Sequence, residues 1–252
     1  MEIVIIGTGN AAAVLARKLA AAGHQIVQIY GRNAQAASEL AYELDTESTN
    51  YWSVVNRNAD LYILAVSDIA IAEIMQELAL PDKTIVHTAA SVSREVLHGA
   101  RHYGVFYPLQ SLKKSQASLP DIPIIIDASD AQTLHQLEVL AASISSKVVM
   151  AGDEQRLKIH LAAVFCNNFV NHLYTLTESF CRREGIDFHL LLPLIKETAL
   201  RLEELSPSEA QTGPAVRDDQ NTISRHRELL ESYPELKEFY DLFTQSIGVH
   251  RK

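Results

Sequence analysis

A chain of 252 residues, 47% hydrophobic and 21% charged, can bury one large core or two smaller ones and has no compositional reason to stay disordered. Its formal net charge of −9 leaves no broad basic field to draw nucleic acid or an anionic membrane. The first residues read as a strand rather than a leader and no stretch approaches about eighteen uninterrupted apolar residues, so a soluble, cytoplasmic protein without membrane or nucleic-acid partners is expected.

Ile3, Val4, Ile5 and Ile6 are β-branched and too few for a buried helix, which predicts a buried parallel strand. Gly7-Thr8-Gly9-Asn10-Ala11-Ala12 follows, and then the helix formers Ala13 to Leu19. A G-x-G-x-x-A between a strand and a helix is the dinucleotide-binding fingerprint in the context it requires. Gly7 permits the tight turn, Gly9 lets the backbone approach a pyrophosphate, and Ala12 is small enough for the helix to pack on the strand. The free N–H groups and positive dipole end of that helix then face the phosphates. The bland alternative is a glycine turn that binds nothing.

A second strand, Gln25 to Tyr30, ends at Gly31-Arg32-Asn33. NAD enzymes usually place an acid there to accept from the ribose 2′-hydroxyl. An arginine cannot accept, but its planar fork can pair with a 2′-phosphate, so Arg32 favours NADP unless it is merely a solvated surface group.

Ala34 to Leu44 predicts a helix, and Thr46 to Asn58 is polar and irregular apart from Tyr51-Trp52. Asp60 to Val66 is the next strand, stopping at Ser67-Asp68, after which Ile69, Ile71, Ile74, Met75 and Leu78 form a helical apolar stripe. Lys83 to Thr88 is a further strand, leading into Ala89-Ala90-Ser91. Ligands sit outside the carboxyl ends of parallel strands, so Ser67, His87, Thr88 and Ser91 are expected to line the cleft. Tyr103 to Tyr107 and Pro123 to Asp127 follow as strands around the turn Pro108 to Leu112. Ala131 to Ile144 is a helix, and Lys147 to Met150 closes the sheet.

The composition then changes. Asp153 to Glu184 contains neither glycine nor proline, permitting a helix of about 30 residues, roughly 45 Å long. No strand is predicted beyond it. Phe188 to Leu205 reads as an amphipathic helix bent near Pro193, Ser206 to Pro214 as a loop, and Asp219 to Glu231 and Pro234 to Ile247 as helices. The fold class is therefore α/β, with a Rossmann domain over residues 1–151 and an all-helical domain over 152–252 opened by one long helix. Cys166 and Cys181 lie about four turns apart on that helix, too far for a disulfide; free buried thiols are expected, and no Cys/His spacing suggests a metal.

His160, Asn167 and Asn171, at spacings of seven and four, share one face of the long helix and are expected to be part-buried among Leu161, Val164, Phe165 and Phe169. They could bind a substrate carbonyl or carboxylate, or simply bond neighbouring helices. Arg217, after the Gly213-Pro214 turn, could clamp an anionic substrate or pair with Asp218 or Asp219. His226 reads as a satisfied or solvated histidine.

The order of parts resembles the 6-phosphogluconate dehydrogenase-like superfamily. More closely, HTAAS (87–91), GVFYPLQSL (104–112), HLAAVFCNNF (160–169) and TGPAVRDD (212–219) resemble bacterial Rossmann-like proteins carrying a helical C-terminal domain of unknown function. The resemblance implies NADP binding, hydride transfer at a carbon bearing oxygen or nitrogen, and dimers built on the helical domain. Two departures withhold a substrate. β-Hydroxyacid dehydrogenases place a lysine and an asparagine one turn apart on this helix, whereas residue 162, one turn past Lys158, is alanine; and Tyr107-Pro108-Leu109 stands where prephenate dehydrogenases have His-Pro-Met.

Two functions follow as expectations. One is an NADP-dependent reductase or dehydrogenase for a small carbonyl, imine or hydroxy-acid substrate, with His160 as acid or base and Asn167 orienting the reacting atom; Thr88, Ser91, Asn171 and Arg217 would hold the substrate. The other is a non-catalytic NADP-binding sensor. Apolar residues on more than one side of the long helix favour a homodimer in either case.

Overall fold

The alternation of short β-branched runs with helix formers through residues 2–150 builds one eight-stranded sheet. In a computed structural model, which describes residues 1–115 and 121–249, the elements are β1 (Glu2–Ile6), α1 (Asn10–Ala21), β2 (Gln25–Tyr30), α2 (Ala34–Glu43), β3 (Glu47–Thr49), β4 (Leu61–Leu64), α3 (Ala70–Leu78), β5 (Thr84–His87), β6 (His102–Pro108), β7 (Ile124–Ala128), α4 (Ala131–Ile144) and β8 (Val148–Met150). The spatial order is β3-β2-β1-β4-β5-β6-β7-β8. Neighbours from β3 to β6 pair in parallel, β7 runs antiparallel to β6, and β8 is parallel to β7. This is an α/β fold of Rossmann type, and the order in which successive strands are added reverses between β1 and β4, which opens a crevice at their carboxyl ends.

β1 is buried on both faces, as its unbroken apolar run requires. Ile3 and Ile5 pack with residues of α1, α2 and α4; Val4 and Ile6 pack on the other face with Ile71, Ile74 and Leu78 of α3. Each fully buried side chain of this size is worth roughly 1.5–3 kcal/mol. Ile69, expected in the α3 stripe, is instead 94% exposed because it precedes the helix. β3 arises from a segment whose polarity predicts irregular structure; it is an edge strand paired only to β2, and of its three residues Thr49 is buried.

The chain divides into two units, Met1–Cys166 and Asn167–Lys252, and the boundary falls within the glycine-free helical run. That run is not one α-helix. α5 (Asp153–Ala163) gives way to a π-helical turn at Val164–Phe169, and α6 (Val170–Arg183) follows. A π turn closes i→i+5 bonds, so the α spacing that predicts a common face for His160, Asn167 and Asn171 does not hold through it. The second unit is helical in its described residues beyond α6: α7 (Leu192–Leu200), α8 (Pro207–Ala210), α9 (Pro214–Arg217), α10 (Gln220–Leu229) and α11 (Pro234–Val249). Pro193 does not bend a helix; it lies in the first turn of α7, after a 3₁₀ turn at Phe188–Leu191, where its missing N–H costs nothing. The segment read as a loop contains α8, set by a capping box between Ser206 and Glu209.

Candidate functional site

A cleft of about 600 Å³ opens at the carboxyl ends of β1, β2, β4 and β5, in the first unit. Gly7, Thr8, Gly9, Asn10, Ala11, Arg32, Asn33, Ser67 and Thr88 line it, so nine of the residues singled out from sequence are brought together. Gly7 has φ +129°, and a Cβ there would run into the carbonyl oxygen of Ala65. A Cβ on Gly9 would meet nothing within 4 Å, so the backbone is open to a ligand. Gly9 caps α1 without a side-chain bond, which leaves the first-turn N–H groups of this 12-residue helix facing outward. Ala12 is fully buried, so its part is packing beneath the turn.

Several side chains here have structural duties. Asn33 caps α2, its Oδ1 accepting from the Ala36 N–H at 3.0 Å. Asn10 Oδ1 accepts from the Lys114 N–H at 3.0 Å, and Arg17 Nη1 donates to the Lys114 carbonyl at 2.6 Å, which fastens the segment after β6 to α1. Arg32 is exposed and in no salt bridge among the described residues. Tyr30 and Trp52 also line the cleft, with rings stacked at 3.7 Å between centroids and 18° between planes. They form a flat apolar wall beside Arg32, suited to a purine. Glu73 and Glu77 of α3 line it as well, one helical turn apart.

A second group lies at the ends of β5 and β6. Thr88 is held through its N–H to the Leu64 carbonyl at 3.1 Å, and Ser91 Oγ donates to Asp68 Oδ2 at 2.6 Å, joining the loops after β4 and β5. Neither His87 nor Ser91 lines the cleft as expected: Ser91 is exposed on the loop beyond it, and His87 is fully buried, because strand alternation turns it to the face opposite Val86, towards Arg156. Its Nδ1 accepts from the Ala89 N–H at 3.1 Å, and burial, reinforced by the charge of Arg156, pushes its pKa down to about 4.

Arg156 on α5 is fully buried. Its Nε donates to the Ala90 carbonyl at 3.0 Å, and its Nη2 donates to the Val92 carbonyl at 2.6 Å and to Asp153 Oδ1 at 2.7 Å. β8 ends at the edge opposite the cleft, so α5 begins there and runs back along β6. One turn beyond Arg156, His160 reaches the end of β6, where its Nδ1 lies 3.1 Å from the Tyr107 hydroxyl. The rings meet edge to face at 81°. Both side chains are half-buried; burial raises the Tyr107 pKa, and the positive charge of Arg156 opposes that rise.

In the second unit, Asn167 and Asn171 are exposed rather than part-buried, because Phe169 beside them is itself 50% exposed and gives no apolar cover. Arg217 ends α9, is exposed, and is followed by Asp218 at φ +58° and by Asp219, which caps α10. His226 Nδ1 lies 3.0 Å from the Tyr240 hydroxyl, so it is satisfied within its own unit. Cys181 is a buried free thiol, but Cys166 is exposed, since it sits in the π turn beside the exposed Phe165.

Residues 122–247 match the family profile described as a domain of unknown function, DUF2520. The chain belongs to the DUF2520 family. Residues 2–91 of this DUF2520 protein match the domain described as NADP oxidoreductase coenzyme F420-dependent. No curated protein sequence matches it. Among solved structures it is similar to a Bacteroides fragilis protein assigned as an NADP oxidoreductase, at 40% identity over 99% of this chain and 98% of that one, with a TM-score of 0.92. It shares its fold with 1-pyrroline-5-carboxylate reductase of Streptococcus pyogenes (15% identity, 99% and 98% covered, TM-score 0.66). The same holds for an imine reductase of Myxococcus stipitatus in complex with NADP+ (14%, 98% and 93%, 0.67). Its domain pair and its neighbours are those of NADP-dependent oxidoreductases. No described helix is long and apolar enough to cross a membrane.

Sequence reasoning assigned no role in the DUF2520 protein to Trp52, Glu73, Glu77, Tyr107 or Arg156. Trp52 had a signal, as the single tryptophan beside a tyrosine in a polar stretch. Arg156 had none, because an arginine on an amphipathic helix is ordinarily solvated.

Proposed function

We propose that this DUF2520 protein is an NADP-dependent reductase that transfers hydride between the nicotinamide and a small imine, carbonyl or hydroxy-acid substrate. The observation that carries the reading is the cleft at the β1/β4 reversal, where bare glycines, open helix N–H groups and the Arg32 guanidinium converge. These fit the cofactor: the first turn of α1 would hold the pyrophosphate, Tyr30 and Trp52 the adenine, and Arg32 the 2′-phosphate. When bound, NADPH supplies the hydride. Thr88 and Ser91, on the loop fixed by Arg156, would bind the substrate's polar end, with His160 beside them as a source of protons. C=N substrates are favoured by the two fold relatives, one named an imine reductase and the other a reductase of a cyclic imine.

A homodimer through the helical part belongs to the same proposal. Only Cys181, Ala215, Ile223 and Leu230 of the second unit are buried among the described residues. Leu157 and Leu161, one turn apart on α5, are 50% and 57% exposed. A second copy supplies the missing cover. Two unpaired cysteines suit a reducing, cytoplasmic setting. The test is a panel of small imines, 2-oxo acids and 3-hydroxy acids followed at the NADPH absorbance. Turnover of a panel member supports the reading, and tight NADPH binding without turnover replaces it with a cofactor sensor.

A further inference from the structure

We propose that Tyr107 is the proton donor of this reductase and that His160 resupplies its proton; the proposal rests on the reductase reading above. Its basis is the juxtaposition of a half-buried phenol and an imidazole at the carboxyl edge of the sheet. His87 of β5 pairs with Val105 of β6, so Tyr107, two residues on, stands level with Ala89, immediately past the cleft residue Thr88. Adjacent strands are about 4.8 Å apart, which puts Tyr107 one strand from the cleft wall. It is on the β4–β5–β6 side of the reversal, where the nicotinamide half belongs when Arg32 at the end of β2 takes the adenosine half.

Of the other candidates at this edge, His87 is fully buried, with Nδ1 bonded to backbone and Nε2 without a partner among the described residues, and the Ser91 hydroxyl already donates its proton to Asp68. Tyr107 combines a proton held by burial with a cation, Arg156, that steadies the phenolate left behind. Arg156 acts on the Tyr107 phenol and is itself bonded to Asp153. As the substrate carbon accepts hydride, its C=N π pair moves to nitrogen, which takes the hydroxyl proton of Tyr107. The phenolate takes the Nδ1 proton of protonated His160, and water reprotonates the half-exposed imidazole. The imine is reduced to an amine and NADPH is oxidised to NADP+, with one proton drawn from solvent.

The test uses the full chain with NADPH and two probes, 2-methyl-1-pyrroline and pyruvate. Tyr107→Phe should lower kcat about 10²–10⁴-fold, the usual worth of a positioned acid, with the Kd for NADPH unchanged within about twofold. Wild-type kcat should fall at alkaline pH as the Tyr107 phenol, raised by burial, loses its proton, because the donor must carry it. His160→Asn acts through Tyr107; it should lower kcat less than Tyr107→Phe does, and added imidazole should restore part of the loss. A merely structural His160 would lower Tm and leave kcat of the folded protein unchanged by imidazole. Wild-type kcat in Tyr107→Phe, or no response of His160→Asn to imidazole, overturns the proposal; if Tyr107→Phe does not fold, the His160→Asn rescue decides. A wild-type protein that turns over neither probe overturns this proposal before any variant is made, and one that turns over no member of the wider panel overturns the reductase reading with it.

Discussion

Replacing Arg32 with alanine isolates the choice of cofactor. Arg32 lines the cleft past β2 without a salt bridge among the described residues, so its removal strands no protein partner. A charge-assisted hydrogen bond to phosphate is worth about 1.5–3 kcal/mol, and the exposure of Arg32 places it near the lower end, about 1.5–2 kcal/mol. That corresponds to roughly 10–30-fold in the Kd for NADPH. Glu73 and Glu77 remain in the same cleft and add repulsion once the cation is gone. NADH lacks the 2′-phosphate, and its Kd should move by less than about twofold. The single tryptophan, Trp52, stacks on Tyr30 in the cleft wall, so its quenching on titration reports binding of either nucleotide. Equal losses for NADPH and NADH, or no loss for either, would refute the assignment of Arg32 to the 2′-phosphate.

Gly7→Ala should destabilise the first unit by about 1–3 kcal/mol from backbone strain alone, before the clash with Ala65 is counted, and thermal melting should show it; a variant as stable as wild type contradicts the φ of +129°. His87, with its pKa lowered to about 4, resists protonation in the folded state, so the unfolded chain binds more protons between about pH 4 and 6.5. Stability should therefore fall by about 3 kcal/mol as pH drops through that window. Urea unfolding of wild type against His87→Gln at pH 7 and pH 4.5 measures this, and an identical pH slope in both would contradict it. Leu161→Arg should turn the expected dimer into a monomer by light scattering at micromolar concentration; a wild-type monomer under those conditions removes the dimer proposal altogether.

The parallel half of the fold was legible because Ile3 to Ile6, Gly7 to Ala12 and Gln25 to Tyr30 each carry a local signal that agrees with the next. β3 was missed because Glu47–Thr49 is polar and held by pairing with Gln28–Tyr30, with only Thr49 buried. The cleft residues came from chain order and one rule about strand ends. His87 defeated that rule because position alone does not say which face a side chain takes. Tyr107 and His160 are 53 residues apart, and their meeting depends on β7 turning back so that α5 starts at the far edge. The π turn at Val164–Phe169 falls on Val-Phe-Cys-Asn-Asn-Phe, weak helix formers that include neither glycine nor proline, so nothing there interrupts a helical reading.

Arg156 grips the loop after β5 by the carbonyl oxygens of Ala90 and Val92, main-chain atoms rather than side-chain ones. A handle made of main chain does not depend on the side chain it passes: Ala90 is buried and Val92 packs on the core, so Ser91, exposed between them, is the position of the three that can change without disturbing the grip. Ser91, between the two gripped carbonyls, is displayed on a fixed platform that selection can re-letter without refolding. For an engineer the same device marks where to randomise: a library at residue 91 changes the loop beyond Thr88 while the arginine keeps its shape.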